Sequence, residues 1–244
     1  MAGEPDPALV AAFAARAAAV HEQIVGAALR AGRDPAEVLL VAVSKTVAPA
    51  ALRAAVAAGL TVLGENRVQE AADKVALVAG ARWHLVGHLQ GNKARAALAL
   101  FEVIESVDSL ELAQRLDRLL AESPAEPGAG GCPRSVLLQV NVDEDPTKSG
   151  FSPAGLEAAL PQLAGLPNLR LDGLMTVGRL GVSAEAARPT FTALRRQSER
   201  LRASGTRLGP ALSMGMSDDF PVAVEEGATI VRVGRALFGE RPAA

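Results

Sequence analysis

Short apolar segments alternate with longer amphipathic stretches along almost the whole chain. The apolar segments have the length of strands, and the stretches between them carry apolar residues at the three- and four-residue spacing of helices. Strict alternation of strand and helix indicates parallel strands joined by crossover connections. The predicted strands are Val38–Ser44, Thr61–Gly64, Trp83–Gly87, Val103–Val107, Ser135–Val142, Leu169–Val177, Leu212–Met214 and Ile230–Gly234.

Eight strand–helix units are the number that closes a (β/α)8 barrel, and a chain of 244 residues suits one such domain. The alternative is an open doubly wound sheet, which usually has glycine in its first turn. The turn that begins at Lys45 after the first predicted strand contains no glycine. We therefore expect an α/β TIM barrel that occupies residues 1–244 as a single domain, with an extra N-terminal helix before the first strand.

The helices of this barrel are predicted from the amphipathic stretches. The proline- and glycine-rich stretch Glu122–Pro133 excludes helix and strand, and we interpret it as a spacer loop within the domain. The predicted helices lie near Pro7–Ala31, Ala50–Ala58, Arg67–Ala79, Gln90–Leu100, Leu110–Ala121, Ala154–Leu163, Ala184–Ala203 and Asp218–Glu226.

Composition and charge narrow the class of protein. The sequence is 49% hydrophobic and 21% charged with a net charge of −2, which is ordinary for a soluble protein and gives no sign of a nucleic-acid or polybasic membrane surface. The single cysteine, Cys132, fits a reducing compartment. Charged residues interrupt the apolar stretch Ala8–Ala18 before it reaches the length of a membrane span. We expect a cytoplasmic protein. We also expect a monomer, because no predicted helix has an apolar face left over for a partner subunit.

Lys45 is the first candidate functional residue. It follows the apolar run of the first predicted strand, and the C-terminal ends of strands are where α/β barrels place their chemistry. A partly desolvated amine there is neutral often enough to form a Schiff base. The alternative is a solvated lysine that caps the strand.

The turns after the seventh and eighth strands form a candidate phosphate site. In this architecture the phosphate usually lies there, close to small residues and free backbone N–H groups. Gly215 allows a close approach, Ser217 is predicted to cap a helix that begins at Asp218, and Gly234 opens a short final helix. Helix capping alone would also account for Ser217, and both roles can hold together.

Arg232 stands out because it shares one face of the eighth strand with Ile230 and Gly234. A buried arginine rarely lacks a partner, so an inward-facing Arg232 must meet a carboxylate or a ligand acceptor. A structural ion pair with an acid that the sequence does not identify is an equal alternative.

Other polar residues favour structural interpretations. Asp143, Glu144 and Asp145 have no histidine or further carboxylate at ligand spacing, which favours an exposed acidic loop over a metal site. His84 alternates with apolar residues, and we interpret it as a hydrogen-bonded barrel histidine, with a supporting role toward a ligand as the second choice.

Taken together, these segments resemble the pyridoxal phosphate homeostasis protein family, whose members look like the barrel domain of alanine racemase standing alone. The resemblance spans nearly the whole chain in order, and the set is specific although each piece alone is weak. The matching stretches are Leu40–Lys45, Gly64–Glu70, Trp83–Lys93, Glu105–Ser109, Val140–Val142 with 148–150, Gly173–Gly178, Leu212–Asp219 and Ile230–Glu240.

The resemblance implies that pyridoxal 5′-phosphate (PLP) is held as a Schiff base on Lys45. It also implies that Arg232 faces the pyridine nitrogen of the cofactor. The other residues implied at the cofactor are Ser213, Gly234 and Arg235 at the phosphate, and Asn66, Met175, Met214 and Ser217 along its length.

Two positions depart from the family pattern. The residue after Gly234 is commonly threonine, whose hydroxyl can bond the phosphate, whereas this chain has Arg235. Its backbone N–H is retained and its guanidinium could pair with phosphate, so we expect a changed geometry or affinity. Gly178 is commonly followed by proline, whereas this chain has Arg179, which leaves that loop less rigid.

The resemblance implies a protein that buffers or delivers PLP, with apo forms of PLP-dependent enzymes as partners. The rival is a PLP-dependent racemase, which needs a base on each face of the substrate. Alanine racemase takes its second base from a tyrosine of a further domain, and this chain contains no tyrosine. An arginine at the pyridine nitrogen would also weaken the electron sink. A third hypothesis is a barrel that binds a phosphorylated metabolite without a covalent bond.

Overall fold

The computed structural model describes residues 4–122, 133–178 and 183–239. Its strands pair in parallel, each with the next along the chain, and β1 pairs with β8 to close the barrel. The prediction of a (β/α)8 barrel is confirmed, and the open-sheet alternative is excluded by this closure. The strands are β1 Leu39–Val43, β2 Val62–Glu65, β3 Arg82–Leu85, β4 Val103–Val107, β5 Arg134–Gln139, β6 Leu169–Met175, β7 Ala211–Ser213 and β8 Ile230–Val233.

Helices surround this barrel in the order that the sequence predicts. The predicted helix Ala184–Ala203 has the bounds of the observed one, while the helix predicted to begin at Gln90 starts as a 3-10 turn, Gly91–Lys93. A second 3-10 turn, Pro35–Glu37, precedes β1. The α-helices are α1 Pro7–Arg30, α2 Pro49–Ala57, α3 Val68–Val75, α4 Ala94–Leu100, α5 Leu110–Glu122, α6 Pro153–Ala164, α7 Ala184–Ala203, α8 Phe220–Glu225 and α9 Arg235–Phe238.

The apolar core has two layers because successive residues of a strand point to opposite faces. The larger layer lies between the strands and the surrounding helices, and it includes Leu63, Leu138 and Val233. The smaller layer fills the inside of the barrel, below the mouth formed by the C-terminal ends of the strands. Its buried members are Val41, Val62, Val86, Leu137, Met175 and Ile230.

Helix α1 is the extra N-terminal helix that the sequence predicts. Asp6 caps it by accepting the N–H of Ala8 at 2.9 Å, and Pro7 occupies the first helical position. One face, including Phe13 and Ile24, is buried in the outer core. By length and composition α1 could also cross a membrane, so the prediction that its apolar stretch is too short is wrong, although core helices pass the same test.

Three sequence expectations fall outside the described residues. They concern Cys132, nearly all of the predicted spacer loop Glu122–Pro133, and Arg179 after Gly178.

Candidate functional site

Lys45 and Gly234 follow neighbouring strands at the mouth of the barrel. Their strands, β1 and β8, are neighbours, and the register pairs Ala42 with Val233, which brings Val43 level with Gly234. A Cβ atom built on Gly234 would lie 3.4 Å from the carbonyl oxygen of Val43. Lys45 follows two residues later and is half-buried. The candidate amine and the turn after β8 therefore share one end of the barrel.

The turn after β7 requires glycine at position 215. Gly215 has φ +89°, a conformation that side chains of L-residues rarely adopt. A Cβ atom there would lie 2.5 Å from the Cβ of Ala223 and 2.9 Å from the Cα of Phe220. The absence of a side chain thus lets this turn pack directly on the first residues of α8.

Ser217 does not cap a helix, so that prediction is wrong. Helix α8 begins at Phe220, two residues later than expected, and Asp219 precedes it without a side-chain capping bond. The carboxylate of Asp219 instead accepts the N–H of Met216 at 2.6 Å. The hydroxyl of Ser217 accepts the N–H of Gly234 at 3.2 Å, which ties the turn after β7 to the end of β8.

Arg235 directs its guanidinium to the protein surface. It donates to the carboxylate of Asp218, and both side chains are exposed. The guanidinium, which could pair with a phosphate on the evidence of the sequence, forms an ion pair within the chain instead. The N–H groups of Arg235 and Ala236 open α9, and the first N–H groups of a helix have no partner within it.

Arg232 is buried inside the barrel, with 5% of its surface exposed. Its guanidinium donates to the hydroxyl of Ser213 at 2.6 Å and to the carbonyl oxygen of Thr176 at 2.7 Å. Ser213 in turn donates to Glu105 Oε2 at 2.6 Å, and Glu105 Oε1 bonds His84 Nδ1 at 2.6 Å. The acid that the sequence left unidentified is Glu105, and Arg232 reaches it through Ser213.

Charge balance within this network keeps both ionised groups charged. Burial raises the pKa of Glu105, but the hydrogen bond from His84 and the charges of His84 and Arg232 outweigh it and hold that pKa below its ordinary value. Burial lowers the pKa of Arg232, opposed by Glu105 and Asp219, and a guanidinium stays protonated even so. The interior of the barrel thus holds a fixed cation just below the mouth.

The other residues implied at the cofactor differ in whether their side chains are placed to contact a ligand in the mouth. Met175 belongs to the inner core, and Asn66 is half-buried after β2, where its backbone leaves no room for a side chain at position 87. Met214 instead lies in the outer core, so its side chain faces away from the mouth and could contact a ligand only through its backbone. The hydroxyl of Ser213 donates its hydrogen bond to Glu105, so it has no second proton with which to bond a phosphate.

Sequence reasoning missed Glu105 and Lys74. A signal for Glu105 existed, because it lies at two-residue spacing from Val103, which faces the inner core. That is the same argument that predicts the burial of Arg232. Lys74 is 5% exposed and pairs with Glu65 at 2.7 Å, and a lysine near the end of an amphipathic helix gives no such signal.

The acidic loop after β5 is structured. Asp143 accepts a hydrogen bond from Thr190 at 2.7 Å, and its side chain is only 11% exposed, so the prediction of an exposed loop is wrong for this residue. Lys148 Nζ lies 3.8 Å from the carboxylates of both Asp143 and Asp145. Among the described residues, no group of three or more histidine, cysteine or acidic side chains could hold a metal ion.

Comparison with known proteins gives these features a context. Residues 20–242 match the family described as alanine racemase, N-terminal domain. The pyridoxal phosphate homeostasis protein of Pseudomonas aeruginosa is 46% identical over 227 residues, covering 92% of this chain and 94% of that protein. The protein of the same name from Escherichia coli K12 is 39% identical over 232 residues, covering 92% and 94%.

A solved structure is similar as well. PipY of Synechococcus elongatus PCC7942, with PLP bound, superposes with a TM-score of 0.79 at 42% identity, covering 93% of this chain and 100% of that one. The family match spans most of the chain, and the curated relatives align over nearly their full length. The chain therefore belongs to the pyridoxal phosphate homeostasis protein family, within the alanine racemase N-terminal domain group.

Proposed function

We propose that this protein binds PLP on Lys45 and takes part in its intracellular homeostasis, by buffering or delivering the cofactor. One observation carries the proposal: Lys45, in the turn after β1, and the turns after β7 and β8 lie at the same mouth of the barrel. A family member that is 42% identical has been solved with PLP bound, which supports the same ligand here.

The residues at the mouth fit this cofactor. Gly215 lets the turn after β7 pack on α8, and Ser217 places a hydroxyl beside the backbone N–H of Gly234. In our proposal Ser217, Gly234 and the backbone N–H of Arg235 hold the phosphate. PLP supplies an aldehyde that a neutral lysine amine can hold covalently. Asn66 and Met175 line the ring, and Met214 contributes only its backbone.

Arg232 determines what chemistry the site supports. Its guanidinium is held by Ser213 and Thr176 and is compensated by Glu105, so it stays cationic. A fixed cation that faces the pyridine nitrogen disfavours protonation of that nitrogen and weakens the electron sink that carbanion chemistry needs. The sequence also has no tyrosine to serve as a second base. We therefore propose a carrier rather than a racemase.

The proposal extends to the setting of this function. We place the protein in the cytoplasm, as a single-domain monomer whose partners are apo forms of PLP-dependent enzymes. The naming of its curated relatives as homeostasis proteins supports this role.

The test is an absorbance spectrum of the purified protein mixed with PLP. We expect a near-visible band in the wild type, and reduction with borohydride should fix the cofactor to Lys45. The band should be missing in Lys45→Ala and present in Lys93→Ala, which removes another lysine outside the proposed set. A wild type that stays colourless would contradict the proposal and favour binding of a phosphorylated metabolite without a covalent bond.

A second measurement separates the carrier from the racemase. The loaded protein should restore activity to an apo form of a PLP-dependent enzyme. It should not exchange the α-proton of amino acids with deuterated solvent. Appreciable exchange that disappears in Lys45→Ala would favour the racemase instead.

A further inference from the structure

Lys45 occupies the second position of a four-residue turn. The N–H of Val47 donates to the carbonyl of Ser44 at 3.0 Å and closes the turn. Thr46, at the third position, has φ +66°. Glycine normally fills such a position, because a β-branched residue is strained there. The turn therefore depends on contacts from outside itself to keep this conformation.

Side chains hold the peptide groups on both sides of Lys45. The ammonium of Lys74 donates to the carbonyl of Ser44 at 2.8 Å, and the carboxylate of Glu70 accepts the N–H of Thr46. The hydroxyl of Thr46 donates to the carbonyl of Lys45 itself at 2.6 Å. Because the backbone sets the rotamers open to a side chain, these contacts fix the direction in which Lys45 leaves the turn.

One buried ion cluster supplies these contacts. Lys74 Nζ lies 2.7 Å from Glu65 Oε1 and 2.7 Å from Glu70 Oε1, so all three donors of its ammonium are used. Ser44 adds a hydroxyl bond to Glu65 at 2.6 Å. Lys74 is 5% exposed and Glu65 is fully buried. The turn that carries Lys45 is thus joined to α3 through charged groups, of which Lys74 and Glu65 are shielded from water and Glu70 is 27% exposed.

The pKa values of the two carboxylates in the cluster are shifted in opposite directions. Burial raises the pKa of Glu65, and the bonds from Lys74 and Ser44 offset this only in part. Burial also acts on Glu70, but Lys74 and the Thr46 amide outweigh it and hold the pKa of Glu70 below its ordinary value. Glu70 is therefore a charged acceptor for the Thr46 amide. Buried ion pairs are weak sources of stability, which favours a role in geometry.

We propose that Glu70, backed by Lys74, is a positioning residue that orients Lys45 for covalent capture of PLP. The inference rests on the proposed function and adds to it the group that aims the amine. Glu70 contacts the backbone of the turn and acts on the cofactor only through Lys45.

The test compares two ligands on one variant. Glu70→Ala removes the acceptor of the Thr46 amide, while Lys74 keeps its bonds to Glu65 and Ser44, so the buried pair survives. We expect affinity for PLP to fall about ten-fold, because a small misplacement of a reacting group is costly. Affinity for pyridoxine 5′-phosphate, which has the same ring and phosphate but no aldehyde, should not change. Glu70→Gln, which restores an acceptor, should recover most of the loss.

Two further readouts keep the test decisive. Amide hydrogen exchange of Thr46 should become faster in Glu70→Ala without any ligand present. Asp73→Asn removes an exposed charge from the same helix and should change neither affinity nor exchange. Equal losses for both ligands would overturn the positioning role alone, since they would mean general damage to the site. Absence of covalent capture by the wild type would overturn the proposed function, and the positioning role with it.

Discussion

Ser213 on β7 donates a hydrogen bond of 2.6 Å to Glu105 on β4, across the interior of the barrel. The two residues are 108 positions apart in sequence, and β5 and β6 separate their strands. The same hydroxyl accepts from Arg232 at 2.6 Å. The cation below the mouth is therefore held by partners within the protein, and its position does not depend on a bound ligand.

Replacing Arg232 should destabilise the fold strongly. Arg232→Met removes one of the two cations that offset the buried charge of Glu105 and leaves the carbonyl of Thr176 without its donor. Removing one partner from a buried charge network typically costs about 3–5 kcal/mol. Urea unfolding of the ligand-free protein measures this loss. Arg235→Gln is the matched control, because its ion pair with Asp218 is exposed and should be worth less than about 1 kcal/mol. Similar losses in the two variants would contradict the structural role of Arg232.

The stability of the protein should depend on Glu105 in mild acid. Its pKa lies below the ordinary value near 4.5, so its contribution is complete above that pH and is lost as the pH falls toward the folded pKa. Urea unfolding between about pH 6 and pH 3 should show a shallower decline for Glu105→Gln than for the wild type. Glu102→Gln removes an exposed carboxylate nearby and should keep the wild-type slope. Identical slopes for wild type and Glu105→Gln would refute the assignment.

Gly215 should tolerate no side chain. Gly215→Ala combines a positive φ with contacts of 2.5 Å to Ala223 and 2.9 Å to Phe220, and we expect a loss of about 2–5 kcal/mol in the free energy of unfolding. Gly205 has φ +78° but no atom within 4 Å of a built Cβ, so Gly205→Ala isolates the backbone cost, about 1 kcal/mol. Equal losses in the two variants would show that packing against α8 does not matter.

Restoring the residue that the family commonly has at position 235 should strengthen PLP binding. Arg235→Thr adds a hydroxyl that can bond the phosphate, and a hydrogen bond to a charged group is worth about 1.5–3 kcal/mol. We expect PLP to bind at least several-fold more tightly, measured by titration of the near-visible band. The unfolding free energy should change by less than about 1 kcal/mol, since the lost ion pair is exposed. Weaker binding would mean that Arg235 itself contributes to the site.

Periodicity in the sequence predicted the barrel, but it could not predict most pairings within it. The face shared by Ile230, Arg232 and Gly234 indicated a buried arginine, because alternation along a strand is a local property. Glu105 could not be named as its partner, since that contact depends on how distant strands face each other once the barrel closes.

One local prediction failed and one buried charge was missed, both because of contacts that form only in the folded chain. Ser217 was expected to cap α8, but its hydroxyl pairs with Gly234, and Asp219 takes the amide of Met216. Lys74 gave no sign of burial, because its four-residue spacing from Glu70 is typical of an exposed helix pair. Only the folded chain brings Glu65 to the same ammonium.

The hydrogen bond from Gly234 to Ser217 bears on how a ligand would leave. A phosphate that docks at this amide replaces a partner within the chain, so the net gain at that position is small. When the phosphate departs, the hydroxyl of Ser217 again accepts the N–H of Gly234, so this amide is not left without a hydrogen-bond partner. If PLP is held there as we propose, such an exchange weakens the hold on the phosphate, which suits a protein that has to release its cofactor.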